Sequence, residues 1–134
     1  MSEKTEVRTG GAPTPISTFS QGVLKNGFLS VSGQGPQDPA TSEYLHPGDL
    51  TSQTVRTLDN VKAIVEGAGG TFDDVVSLRV FLTTRDDFAE MNAAYETYLL
   101  QNVPSGVFPT RTTVFVELPH EAMLVEIDAL AILS

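Results

Sequence analysis

Cysteine is absent from the 134 residues, which removes disulfides, thiolate nucleophiles and cysteine-ligated metals from consideration. A basic surface is missing as well: eight Lys and Arg stand against 17 Asp and Glu, for a formal net charge of −9. The eight cations, Lys4, Arg8, Lys25, Arg56, Lys62, Arg79, Arg85 and Arg111, are scattered along the chain. Such a chain repels phosphate backbones, so nucleic acid is not an expected partner. No apolar run approaches the roughly 20 residues that a bilayer span needs. The opening segment MSEKTEVRTGGAPTP has no apolar stretch behind its charges, so no secretory signal is expected and the cytoplasm is the expected compartment. His46 and His120 each sit beside a proline in a turn and have no partner at ligand spacing, so no metal site is expected either.

What is present fits one domain over 1–134, long enough to bury about two-thirds of its unfolded surface, with 1–14 as a flexible lead-in. Hydrophobic residues make up 40% and charged residues 19%, an ordinary balance for a globular protein. In GVLKNGFLSVSG two short β-type runs flank Asn26-Gly27, the pair that supplies the positive φ angles of a tight hairpin. The Gly-, Pro- and Asp-rich stretch GQGPQDPATSEYLHPGD predicts an exposed loop leading to a helix capped by Asp49 or Thr51. From Leu50 the apolar positions Val55, Leu58, Val61, Ile64, Val65 and Ala68 recur at helical spacing until Gly67, Gly69 and Gly70 end the pattern. DDVVSLRVFLTT predicts a strand with Val76, Leu78, Val80 and Leu82 on its core side. Thr84 and Asp87 have the form of a capping box before a second amphipathic helix marked by Phe88, Met91, Tyr95, and Tyr98 or Leu99. The runs RTTVFVEL and MLVEIDALAIL close a β-β-α-β-α-β-β pattern, an α+β fold with a mixed sheet and two helices on one face. The other face would carry Phe81, Phe115, Leu130 and Ile132, an apolar patch that calls for a second copy of the chain.

Arg111 stands behind Pro109-Thr110 at the start of a strand, where proline stiffens the approach. A guanidinium held there matches a carboxylate bidentately. By the period of two, Arg111, Thr113 and Phe115 share a side of their strand, and Glu126 and Asp128 share a side of theirs. A short connection at Pro119-His120 would pair these two strands and bring the five side chains to a common face. An exposed ion pair contributing about 0–1 kcal/mol is the plainer alternative. Ser32-Gly33-Gln34-Gly35 superficially suggests a phosphate loop, but a proline follows and no helix opens behind it. Asn92 lies beside the apolar stripe of the second helix, and Phe19 and Tyr95 read as core or interface aromatics.

Taken together, FSQGV, FLSVSGQGPQDP, TVRTLDNVKAIVEGAGGTFDDVV, VFLTTRDDFAEMNAAY, FPTRTTVFV and VEIDALAI resemble the RidA/YjgF family, also labelled L-PSP, from about Pro15 to Leu133. That family comprises small imine and enamine deaminases. The resemblance implies a chorismate-mutase-like fold, a homotrimer whose sheets form a central barrel, and active sites in clefts between subunits. By the same resemblance, the arginine of the P-x-R motif, Arg111, binds the substrate carboxylate. The glutamate of the V-E-I motif, Glu126, holds or activates water. Ser32, Gly33 and Asn92 line the cleft, together with Phe19 and Thr113. The last two are departures: the family often has tyrosine at position 19 and cysteine at position 113, which bears on substrate range.

The function implied is hydrolysis of a short 2-imino acid, or its enamine tautomer, to a 2-keto acid and ammonia. A protonated imine carbon is already electrophilic, so orientation and a proton acceptor suffice and no cofactor is needed. The alternatives are a small-carboxylate-binding regulator without turnover and a deaminase of a pathway-specific substrate such as an aminomuconate-like acid. An endoribonuclease, another description given to L-PSP members, runs against the acidic balance.

Overall fold

The computed structural model describes residues 3–134. Strands β1 (Thr5–Val7), β2 (Gly22–Lys25) and β3 (Phe28–Gln34) precede helix α1 (Leu50–Gly67). Strand β4 (Val75–Leu82), helix α2 (Phe88–Asn102), β5 (Thr110–Phe115) and β6 (Val125–Ile132) follow. The strands form one six-stranded sheet in the order β1-β2-β3-β6-β4-β5. Its β4–β5 pair is parallel and the remaining pairs are antiparallel. The expected mixed sheet with two helices is therefore present. The core lies between sheet and helices, built from Leu29, Leu78, Val80, Leu82, Val125 and Ile127 on the sheet and from Leu58, Val61, Ile64, Met91 and Leu99 on the helices.

Local chemistry accounts for most boundaries. Asn26 and Gly27 take φ of 52° and 80°, and Lys25 pairs with Phe28 across the two-residue turn, as a hairpin of this kind requires. Asp49 caps α1, its Oδ1 accepting from the Ser52 amide at 3.1 Å, and Gly69, at φ 94°, turns the chain away behind it. Val55 departs from the expected stripe and faces outward. The capping box expected at Thr84 and Asp87 is replaced by a 3-10 turn in which the Thr84 hydroxyl accepts from the Asp86 amide at 3.3 Å, before α2 begins. Tyr98 and Leu99 are both buried.

Three expectations are corrected. From Thr5 onward the flexible lead-in is structured: β1 pairs with β2, and the Gln21 amide nitrogen donates to the carbonyls of Thr9, Ala12 and Pro13. Met1 and Ser2 lie outside the described residues. Val76 is exposed because the pairing with β6 slips between Val75 and Ser77, so Val75 takes the core position. Finally, β5 and β6 are not neighbours, because β4 lies between them.

Buried amides on α1 fix the loops above the sheet. Gln53, fully buried, donates through Nε2 to the carbonyls of Leu45, His46 and Ala122 and accepts the Leu124 amide on Oε1 at 2.9 Å. Asn60 donates to the carbonyls of Gly35 and Gln37. Gln53→Leu would leave several buried backbone groups without partners, a cost of about 2–4 kcal/mol. Chemical denaturation should show the midpoint falling accordingly, and an unchanged midpoint would mean that water replaces the amide.

Candidate functional site

The register across β4 settles where the candidate residues point. Arg111 pairs with Leu78 and Thr113 with Val80 in the parallel ladder, so both side chains leave on the helix side of the sheet, at its β5 edge. Glu126 pairs with Phe81 and Asp128 with Arg79, on the face away from the helices. The expected common face for Arg111, Thr113, Phe115, Glu126 and Asp128 is thus corrected: the first three and the last two lie on opposite faces. Phe115 pairs with Leu82 and does not join the apolar patch of Phe81, Leu130 and Ile132.

The arginine is held on three sides. Its Nη1 donates to Asn92 Oδ1 on α2 at 2.7 Å. Its guanidinium carbon lies 4.8 Å from the ring centroid of Tyr95 and 5.7 Å from that of Phe88, within cation–π range. Asn92 and Tyr95, three residues apart, reach the same spot because they share a helix face. No carboxylate pairs with Arg111 among the described residues. Two hydroxyls beside it, Tyr95 Oη and Thr113 Oγ1, are buried without hydrogen-bond partners. Burial pushes the Tyr95 phenol up to about 12, against a smaller opposing effect of Arg111, so it remains a proton donor. One edge thus carries an unneutralised planar cation, with two unpartnered hydroxyls buried on residues around it.

Glu126 occupies a second locus. It lines a cleft of about 250 Å³ with Phe19, Gly33, Tyr44, Pro119 and Met123, from which Arg111, Asn92 and Thr113 are absent. A Cβ at Gly33 would overlap the Glu126 carboxylate and stand 3.0 Å from its Cδ, so only glycine lets the acid lie against the β3 backbone. Burial, with a smaller effect of Asp128, holds the Glu126 carboxyl above its ordinary range. Tyr44 is raised by burial and by Glu126, and its ring stacks on His120 at 4.1 Å. Ser32 is not in the cleft lining: its hydroxyl donates to the Ser20 carbonyl at 2.6 Å and its amide to the Gln21 carbonyl at 2.9 Å. It anchors the segment that carries Phe19.

Within one chain the cationic locus at Arg111 and the acidic locus at Glu126 are therefore separate. Sequence reasoning missed Tyr44, which lies in an aperiodic loop; Tyr95, read as a core or interface aromatic, is buried in the core and in addition stacks on Arg111, a contact that its spacing from Asn92 made legible. Among the described residues, no group of three or more His, Cys, Asp or Glu is arranged to hold a metal, and no helix is long and apolar enough to cross a membrane.

A family model described as endoribonuclease L-PSP matches residues 9–133. A RutC family protein of Pyrococcus horikoshii is 38% identical over 128 residues, covering 96% of this chain and 97% of that protein. The 2-iminobutanoate/2-iminopropanoate deaminase of Escherichia coli is 38% identical over 126 residues, covering 94% and 95%. Among solved structures, E. coli TdcF with bound serine superposes with a TM-score of 0.88 at 36% identity, covering 97% of this chain and 99% of that one.

Proposed function

The chain belongs to the endoribonuclease L-PSP family, the RidA/YjgF group, and on that footing we propose that it hydrolyses short 2-imino acids, or their enamine tautomers, to 2-keto acids and ammonia. The observation that carries this reading is the Arg111 guanidinium, positioned by Asn92 and two aromatic rings yet without a carboxylate partner among the described residues. A fork prepared in this way suits an α-carboxylate. The E. coli relative is named for this chemistry, and TdcF was crystallised with serine, itself an α-carboxylate.

In the reaction, Arg111 grips the substrate carboxylate and Glu126 takes a proton from water as its oxygen bonds to the imine carbon. Glu126 returns that proton to the nitrogen of the tetrahedral adduct, the carbon–nitrogen bond breaks with its electron pair leaving on ammonia, and the hydroxyl gives its proton back to Glu126 or to water as the carbonyl forms. Thr113 and Tyr95 offer hydroxyls to the polar end of the substrate. Phe19 and Met123 pack its alkyl end, and no cofactor takes part. Because Arg111 and Glu126 lie on opposite faces of one sheet, the crevice requires two copies, with Arg111 from one and Glu126 from the next. The face away from the helices supports such an assembly, since Phe28, Leu130 and Ile132 are exposed on it. The reading is a cytoplasmic homotrimer with its sites at the subunit boundaries.

The test generates imino acids in situ with an amino-acid oxidase or a threonine dehydratase and follows ammonia and keto acid. Release faster than the uncatalysed rate supports the proposal. Keto-acid binding without accelerated release selects a carboxylate-binding regulator, and RNA cleavage that depends on Arg111 selects the activity in the family description.

A further inference from the structure

On the face away from the helices, two cross-strand pairs stand side by side: Arg79 opposite Asp128, and Phe81 opposite Glu126. Arg79 Nε donates to Asp128 Oδ1 at 2.9 Å and Nη2 donates to Oδ2 at 2.6 Å, a bidentate fork. The same guanidinium carbon lies 5.9 Å from the Phe81 ring centroid. Asp128 and Glu126 leave one strand on one face, roughly 7 Å apart along it. The hydrolysis outlined above uses neither Arg79 nor Asp128.

We propose that Arg79 is a positioning residue for Glu126: by holding Asp128 in a bidentate ion pair, it offsets part of the charge of the carboxylate that shares a strand face with the base. The inference rests on Glu126 acting as that base. The groups around Glu126 are few. Its own strand presents Asp128, and the loop before α1 presents the Tyr44 phenol, stacked on His120. Phe81 from β4 and Gly33 from β3 bring no charge, and a second copy would bring Arg111. With Arg79 removed, the Asp128 charge would stand uncompensated, and like charges on one face disfavour ionisation. Burial and, to a smaller extent, Asp128 with Arg79 in place already raise the Glu126 carboxyl, so an Asp128 stripped of its cation would leave less of the base ionised near neutral pH.

The experiment reads Glu126 twice, by the pH dependence of kcat/KM and by 13C NMR titration of its carboxyl, assigned with Glu126→Gln. Arg79→Gln should move both midpoints up by about half a unit to one unit. Arg79→Lys should stay near the parent, and Arg79→Gln combined with Asp128→Asn should cancel the shift. Asp128→Asn alone, nearly isosteric, should move both midpoints down, and it reports on the same charge should Arg79→Gln loosen the assembly. An NMR midpoint unmoved by Arg79→Gln and by Asp128→Asn overturns the proposal. An NMR midpoint that moves while the rate profile stays fixed confirms the electrostatic coupling and overturns Glu126 as the base.

Discussion

Replacing Arg111 with alanine should lower kcat/KM for 2-imino acids by about 10²–10³-fold. Two charged hydrogen bonds to a carboxylate contribute about 1.5–3 kcal/mol each when water is excluded, and about 3–4 kcal/mol of lost transition-state stabilisation corresponds to that factor. The fold should tolerate the change. Arg111 sits at the edge strand, pairs with no carboxylate among the described residues, and its stacking on Tyr95 and Phe88 is worth about 0.5–1 kcal/mol per ring at a partly exposed site. Arg111→Lys separates charge from shape, because an ammonium keeps the charge without the planar fork, and it should recover only part of the loss. Steady-state kinetics beside a thermal melt checks both halves. A large fall in melting temperature would mean that the arginine is structural.

Glu126→Gln should abolish most turnover, by about 10²–10⁴-fold for loss of a general base, and should stabilise the protein at neutral pH. The second effect follows from the raised carboxyl of the single chain and is read on unassembled protein, because Arg111 of a second copy would oppose the shift. Between its ordinary range and the raised value, the folded state binds more protons than the unfolded state, so stability falls as pH rises through that window. The cost is complete above the raised value and vanishes at acid pH, where the carboxyl is neutral in both states. Glutamine removes the charge and with it the cost. Denaturation midpoints at neutral and acid pH should therefore differ between parent and variant only at neutral pH. In the parent, activity should decline as pH falls through the same window, because the base becomes protonated. A variant less stable than the parent at neutral pH would contradict the assignment of burial as the leading cause.

Much of this fold is written locally. Asn26-Gly27 specifies a hairpin, Asp49 a helix start, and the alternation in β6 a strand with one buried face, and each is decided by residues within a few positions. The failures are non-local. β1 is three residues long and gains its place from pairing with β2 and from the Gln21 side chain, which no pattern within residues 1–14 displays. The bulge at Val76 shifts which valine faces the core, a one-residue slip that leaves the apolar composition unchanged. Most consequential is the placement of β4 between β5 and β6. Consecutive strands are usually neighbours, and a turn-rich segment around Pro119-His120 invites a hairpin, yet β5 pairs in parallel with β4 and β6 is held between β3 and β4. Counting faces across the wrong neighbour puts Arg111 and Glu126 together. Counting across β4 puts them apart, which is why the proposed crevice draws on two chains instead of one.

That two-chain crevice is most directly tested by complementation. Arg111→Ala and Glu126→Gln chains, each nearly inactive alone, are co-expressed with different tags and the mixed oligomers are isolated. If every site takes its arginine and its glutamate from different copies, each isolated mixed trimer holds one intact boundary in three and regains about a third of parental activity, or about a quarter in the unfractionated equal mixture. Mixed oligomers as inactive as either parent variant would show that the two groups do not meet across a subunit boundary.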